Sequence, residues 1–283
     1  MRKEIIKMDF CLQLIRSGLC YKNLILANIF IRMKKIFLVS SFVFFISISS
    51  FAQVSVKDSS IYTPLIGLSF SYQLSAGDMV KRFGNSSSIQ LNCDFKTKKQ
   101  WIFGFNGSYF FGKDINEKGI FDSITTQEGN IISQNGEFAD IRLYERGFTF
   151  SVTAGRLFTL KKPNPNSGII VNIGLGFIQH KIRIETIGNN VPQLSTEYKK
   201  GYDRLSNGLL LTENLGYLYL SNNRLVNFYF GFECMQGFTK NRRSFDFDLM
   251  KQDTKKRLDV LYGGKVAWIL PLYKKAPQPF YYY

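Results

Sequence analysis

The chain has 283 residues, a length that suits one or two domains. Its 37 Lys and Arg against 21 Asp and Glu give a net charge of +16, and the 45 % share of hydrophobic residues excludes intrinsic disorder. Aromatic residues make up 16 % although the mean hydropathy is only −0.08, which indicates that apolar and polar residues interleave and are not gathered in helical spans.

A secretory signal peptide is predicted over residues 33–52. It begins at Met33 with two lysines, continues through the apolar run 36–51 and ends at Ala52, where small residues favour cleavage. The run is shorter than the ~20 apolar residues of a membrane-spanning helix. For residues 1–32 we favour a start codon assigned too early over a genuine additional apolar segment.

The exported chain alternates with a period of two residues. Large apolar side chains share one face of each segment, whereas Gly, Ser, Thr and Asn dominate the other. We expect eight strands, which begin near residues 65, 89, 101, 148, 169, 209, 226 and 258.

This two-faced pattern distinguishes a membrane barrel from a soluble sandwich. Small polar residues cannot fill a core between two sheets, but they suit the interior of a closed barrel whose outer face meets lipid. We therefore predict an all-β fold: an eight-stranded antiparallel transmembrane β-barrel over residues 53–275, followed by a periplasmic tail over residues 276–283. The connections alternate between short and long, as expected of short periplasmic turns and long extracellular loops, and the location is the cell outer membrane.

Aromatic residues are placed as two interfacial girdles require. On the periplasmic side we expect Trp101, Tyr217, Tyr219 and Trp268, and near the opposite rim Tyr72, Tyr109, Tyr144 and Tyr262. One residue departs from the pattern, because Glu213 would face lipid if its strand kept its phase. Either a bulge turns Glu213 inward or a partner protein covers that face.

Few residues suggest chemistry inside the barrel. Glu233 and Lys265 are expected to form an ion pair in the lumen, in an interior just wide enough for side chains. Asp94 and Asp259 are expected as further members, and so is Glu213 if a bulge turns it inward. Such a pair would plug a pore.

The cysteines and the single histidine carry little functional signal. Cys93 and Cys234 are read as small apolar fillers on the lipid face of strands that are not neighbours. His180 is read as a rim residue; a hydrolase that used it with Ser206 and Asp203 is the less favoured alternative. No cofactor and no metal-ligand cluster is indicated.

The loops are basic. The candidate contact residues are Lys199, Lys200, Arg204, Lys240, Arg242 and Arg243. Nucleic acid is a poor partner for an exported barrel, whereas phosphates of anionic outer-membrane lipids are near at hand. Solvated loop charge without a partner is the alternative.

Several segments carry a family resemblance. They are residues 77–79 with 82–84, residues 198–204, residues 240–245 and the aromatic end at 280–283. In these the chain resembles the small outer-membrane β-barrel proteins of Bacteroidota, similar to the eight-stranded OmpA-type barrel but without its periplasmic peptidoglycan-binding domain.

The functional expectation is a non-enzymatic integral barrel that acts as a structural or accessory subunit of an outer-membrane assembly or secretion complex. The long loops and the aromatic tail would contact neighbouring proteins. A small-solute channel is the alternative, and an outer-membrane enzyme acting on lipid or peptide is less favoured.

Overall fold

A computed structural model describes residues 60–160, 164–188, 191–221 and 226–273. The predicted extension at 1–32, the signal peptide at 33–52 and the tail at 276–283 lie outside the described residues. In the part of the chain that is described, no helix is both long and apolar enough to cross a membrane.

The described residues form eight strands, each antiparallel to the next along the chain, and β1 also pairs with β8 to close the ring. Closure gives every strand two neighbours and leaves no free edge. The predicted eight-stranded antiparallel barrel is thus confirmed. The strands are β1 Thr63–Gly77, β2 Ser86–Lys96, β3 Trp101–Gly112, β4 Asp140–Thr159, β5 Gly168–Ile187, β6 Ser206–Leu220, β7 Asn227–Asn241 and β8 Lys256–Pro271.

Three connections at one end are longer than all those at the other, as predicted, but the β1–β2 connection is no longer than the β4–β5 connection, since each spans eight residues. The strand ends that border the β2–β3, β4–β5 and β6–β7 connections lie at one end of the barrel, here called the short-turn end. The opposite, long-loop end carries four loops, whose described residues are L1 (78–85), L2 (113–139), L3 (188 and 191–205) and L4 (242–255). L1 contains one 3-10 turn, Met79–Lys81, and L3 contains two, Pro192–Leu194 and Tyr198–Gly201.

The outer wall is made of large apolar side chains from alternate positions of every strand. Leu175 on β5 is 70 % exposed and Leu209 on β6 is 73 % exposed. The predicted girdle residues also point outward, with Trp101 and Trp268 at the short-turn end and Tyr109 near the long-loop end. A wall of this kind is solvated by hydrocarbon and not by water.

The interior is filled in three layers. An apolar layer at the short-turn end contains Leu65, Ile102, Leu157, Ile170, Leu218, Leu220, Tyr229 and Ile269. A polar layer follows, and a second apolar layer then joins the strands to L1, L2 and L3 through Met79, Phe83, Ile120, Ile131, Val191, Leu194 and Tyr202. The loops therefore fold into the barrel mouth.

Strands β4 and β5 are the longest, with 20 residues each, and their hairpin projects beyond the ring. Asp140 pairs with Ile187 at the open end of this hairpin, on the long-loop side, whereas β3 reaches only as far as Glu145 and β6 only as far as His180. The outward side chains at the projecting end of this hairpin consequently lie at the rim of the apolar wall.

Gly147 on β4 makes room for a buried ring. A Cβ atom at this position would lie 2.2 Å from Phe110 Cζ and 2.7 Å from the Gln179 carbonyl oxygen. We expect Gly147→Val to lower the free energy of unfolding by about 1–3 kcal/mol through overpacking, as measured by urea unfolding of the purified barrel in detergent micelles. Gly107→Val on β3 is the control, because a Cβ there has no atom within 4 Å. Equal destabilisation of the two variants would contradict this packing.

Candidate functional site

The polar layer contains the charge pair expected from the alternation. Lys265 Nζ on β8 lies 3.0 Å from Glu233 Oε1 on the neighbouring strand β7, and both side chains are almost completely buried. The second carboxylate oxygen of Glu233 accepts hydrogen bonds from Ser71 Oγ at 3.2 Å and Gln73 Nε2 at 3.3 Å. Each charge is thereby compensated within the lumen, as burial requires.

Beside Lys265 the lumen keeps a cavity of about 40 Å³. Its polar lining includes Asn92, Asp94, Asn106, Asn172 and Asn214, and the apolar layer of the short-turn end forms its floor. A space of this size holds only a few water molecules. Asp94 thus lines the same space as Lys265, as expected of a member of this group.

Nearer the long-loop end, Asp259 on β8 organises a second buried network. Its Oδ1 accepts a hydrogen bond from Arg82 Nη2 at 2.7 Å, and its Oδ2 lies 2.9 Å from His180 Nε2 and accepts from the Thr239 hydroxyl. Arg82 comes from L1 and also donates to Ser206 Oγ at 3.1 Å. Asp259 therefore belongs to this network and not to the Glu233–Lys265 pair, contrary to the prediction.

The prediction that His180 is a rim residue is wrong. The strand continues to Ile187, so the period of two turns His180 into the lumen, where its ring is fully buried and packs edge-on against Phe83 at 5.4 Å. The carboxylate partner is Asp259; Asp203 instead pairs with Arg243. The hydrolase arrangement of His180, Ser206 and Asp203 is not assembled.

Two buried charged residues of this region were missed by the sequence analysis. Glu145 on β4 is completely buried, and neither of its carboxylate oxygens has a hydrogen-bond partner among the described residues. Extending the alternation of β4 toward its start would have revealed it. Arg82 offered no such signal, because a loop brings it into the barrel.

A third charged cluster lies in the loops and closes the mouth of the barrel. Arg204 of L3 contacts Glu117 of L2 at 2.9 Å and Asp246 of L4 at 3.2 Å, and it also pairs with Asp248. Beside it, the Tyr202 ring packs against Phe121 of L2 and Phe247 of L4 at 5.4 and 5.3 Å. We call this assembly of L2, L3 and L4 the loop cap.

The electrostatics of the loop cap follow from burial and pairing. Burial raises the pKa of the Asp246 carboxyl above its ordinary value, although Arg204 and the Asn241 amide oppose the shift. Burial by itself would lower the pKa of Arg204, but Glu117, Asp248 and Asp246 together raise it. The hydrogen bond to Asp203 raises the pKa of Arg243. Both guanidiniums are therefore held in their charged form.

The predicted loop contacts consequently fall into two groups. Arg204 is buried within the loop cap and is not the exposed contact that the sequence predicts. Arg243 pairs with Asp203 at 2.5 Å, and Arg242 Nε donates to Asn207 Oδ1 at 2.5 Å. The three lysines take outer positions: Lys200 pairs with Glu197, Lys199 is half-buried in L3, and Lys240 points outward from β7.

Glu213 does face outward, at the midpoint of β6. Its strand keeps an unbroken register, with Glu213 opposite Ile173 of β5 and Cys234 of β7. Of the two alternatives for Glu213, the inward-turning bulge is therefore wrong. The only polar side chain that contacts Glu213 in the described chain is Gln236, whose Nε2 donates to Oε1 at 3.4 Å. Cys93 and Cys234 are both free thiols, on the outward positions of β2 and β7.

Comparisons with known proteins were made with the sequence and with the fold. No protein-family model matches the chain, and no curated protein sequence matches it. Among solved structures, that of Ail, the attachment invasion locus protein of Yersinia pestis, in complex with the heparin analogue sucrose octasulfate, is similar at 12 % identity and a TM-score of 0.37, over 74 % of this chain and 99 % of that one.

Two further structures are similar at the level of the fold. The N-terminal β-barrel domain of Pseudomonas aeruginosa OprF has 9 % identity and a TM-score of 0.31, over 72 % of this chain and 96 % of its own. The backbone structure of Ail in a phospholipid bilayer nanodisc has 16 % identity and a TM-score of 0.28, over 72 % of this chain and 99 % of its own.

The class of this protein follows from its own two faces. A closed ring of eight described strands carries large apolar side chains outward and many buried polar side chains inward. This is the construction of an integral membrane β-barrel of the outer-membrane type.

The Glu233–Lys265 pair yields a first test of the lumen. We expect Lys265→Ala to lower the free energy of unfolding by about 3–5 kcal/mol, because Glu233 would remain buried without its cation. Urea unfolding in micelles, followed by circular dichroism, measures the loss. The double variant Glu233→Gln with Lys265→Met removes both charges and should lose much less. If the two variants were equally unstable, the charge pair would not be the cause.

Arg204 yields a test of the loop cap. We expect Arg204→Ala to open the cap, because Glu117, Asp246 and Asp248 would then repel one another without the guanidinium between them. Chymotrypsin should cleave the loops several-fold faster in this variant while the barrel stays folded. Lys200→Ala is the control, since its pair with Glu197 is solvent-exposed and contributes little. An unchanged cleavage rate in Arg204→Ala would refute this role.

Proposed function

We propose that the protein is a non-enzymatic barrel of the cell outer membrane that serves as an accessory subunit and binds another integral outer-membrane protein through its outer wall. The single observation that carries this proposal is the outward-facing Glu213 in the middle of β6. The long-loop end would face the exterior and the short turns the periplasm, as is usual for outer-membrane barrels.

The closed lumen supports a role outside transport. The apolar layer at the short-turn end, the Glu233–Lys265 pair and the loop cap lie one above another along the barrel. A small cavity of about 40 Å³ lies beside Lys265 within this filled lumen. This arrangement argues against the small-solute channel, since a conducting path would have to cross all three layers.

The position of His180 supports the non-enzymatic part of the proposal. The imidazole is sealed between Asp259 and Phe83 with no exposed surface, so a substrate has no access to it. Asp259 is in turn committed to Arg82 and Thr239. These groups act as internal cross-links between L1 and the strands.

The outward position of Glu213 supports a protein partner, because a carboxylate that faces hydrocarbon is energetically unfavourable. On the lipid face of a barrel, a Lys or Arg at the bilayer midplane costs about 2–4 kcal/mol, and a carboxylate costs less but is still unfavourable. The contact with Gln236 at 3.4 Å occupies only one carboxylate oxygen. A neighbouring protein that presents an N–H or O–H donor at this height would satisfy the second oxygen.

The chain carries its own reporters for this face. Cys234 is the register partner of Glu213 on β7, whereas Cys93 lies on β2, which is not adjacent to β6 or β7. Cys93→Ser would leave a thiol beside Glu213, and Cys234→Ser would leave a thiol on the control face. Each variant can be labelled in intact cells with a maleimide–benzophenone probe, irradiated and examined by mass spectrometry.

We expect the Cys93→Ser variant, labelled at Cys234, to give an adduct with a different integral outer-membrane protein. The Cys234→Ser variant should not give this adduct, and Glu213→Ala in the Cys93→Ser background should reduce its yield several-fold. Lipid-only or homodimeric adducts at Cys234, or equal adducts from both positions, would overturn the accessory-subunit proposal.

A further inference from the structure

The outer wall holds a basic groove that the function proposed above does not use. It lies on β3, β4 and β5 at the long-loop end, and it is lined by Tyr109, Arg146, Phe148, Lys181 and Arg183. Arg146 and Lys181 are register partners on neighbouring strands, and Tyr109 is paired with Phe148 one step below them. The groove therefore has a cationic upper part and an aromatic lower part.

The alternation of β4 and β5 fixes the outward direction of these cations. Their immediate neighbours Glu145, Gly147, His180 and Ile182 are all buried in the barrel. The basic side chains accordingly stand on the outer wall, where β4 and β5 begin to project above β3 and β6. Directly below Lys181, β5 presents the polar Gln179, which also lines the groove, and both strands then present apolar groups such as Phe150 and Phe177.

The charge of this groove is mostly uncompensated. Lys181 is exposed and forms no ion pair with any described residue, and Arg146 donates only to the Glu145 carbonyl oxygen at 2.7 Å while its guanidinium lies 5.0 Å from the Tyr144 ring centre. Arg183 alone has an acidic partner, Glu185, at 2.8 Å. Arg204 of the loop cap differs from these groove cations, because it pairs with three carboxylates.

We propose that this groove binds the phosphate group of an anionic lipid in the outer leaflet, with Arg146 and Lys181 as the principal phosphate contacts. The inference rests on the membrane placement proposed above. Phosphate attracts the guanidinium and ammonium groups, while Tyr109 and Phe148 pack along the first segment of an acyl chain. A membrane lipid fits better than a free phosphate ion, because the groove is apolar on the side that continues into the hydrocarbon-facing wall.

The chain offers a matched control on the far side of the same rim. Lys240 and Lys256 are register partners on β7 and β8, and both point outward. The double variant Arg146→Gln/Lys181→Gln and the double variant Lys240→Gln/Lys256→Gln each remove two charges from one strand pair. A diffuse electrostatic effect would weaken lipid binding equally in both, whereas a local site would be lost only in the first.

The test uses native mass spectrometry of the folded full barrel in detergent, with dioleoyl phosphatidic acid and dioleoyl phosphatidylcholine as probes that share the same acyl chains. We expect the wild type and the Lys240/Lys256 variant to retain one phosphatidic acid. The Arg146/Lys181 variant should bind phosphatidic acid at least roughly tenfold more weakly than the wild type does. Inorganic phosphate should not displace the lipid.

Three outcomes would overturn the site: equal weakening in the two double variants, equal binding of the two lipids by the wild type, or displacement of phosphatidic acid by inorganic phosphate. A separate experiment tests the membrane placement: the protein is mixed with lipid vesicles, and its insertion is monitored by the gel migration of the unheated, folded barrel. Failure to insert would overturn both inferences, whereas insertion without selective lipid binding overturns the phosphate site alone.

Discussion

The closure of β1 onto β8 is the constraint on which the rest of the structure depends. Once the ring of eight described strands is complete, every second side chain must enter a lumen only wide enough for side chains, and every other one must face outward. Each polar group on the inner face then needs a partner inside the same narrow space. The outer face, in contrast, contacts hydrocarbon, which provides no hydrogen-bond partners.

Separate charge networks meet this requirement for several lumen charges, whereas the Glu145 carboxylate has no hydrogen-bond partner among the described residues. Glu233 and Lys265 neutralise each other across β7 and β8, and Asp259 gathers Arg82, His180 and Thr239 nearer the mouth. Arg82 links the second network to L1, so the first loop is anchored in the ring. In the loop cap above it, the buried charge of Arg204 is likewise compensated by ion pairs.

Two polar sites on the outer wall have different physical meanings. Glu213 sits in the middle of the wall, where a bilayer offers no polar partner, and so it points to protein contact. Arg146 and Lys181 stand at the rim, where lipid phosphates are found, and so they point to lipid. Together they suggest a barrel that is held at one place by its lipids and at another by a neighbouring subunit.

The amino-acid sequence by itself determined the strands, their two faces, the end of the barrel that carries the longest loops, and the inward direction of Glu233 and Lys265. These follow from a local period of two residues, which needs no knowledge of distant contacts. Glu145 and the inward turn of His180 were also within reach of that period, had it been followed to the true strand ends.

The tertiary structure alone decided which charged groups meet. Arg82 reaches Asp259 across 177 positions of sequence, and Arg204 meets carboxylates from two other loops. It also decided that β6 keeps its phase at Glu213, because the continuous pairing with β5 and β7 leaves no room for a bulge. Loop conformation and ring closure set these distances, and neither is encoded in the periodicity of a single strand.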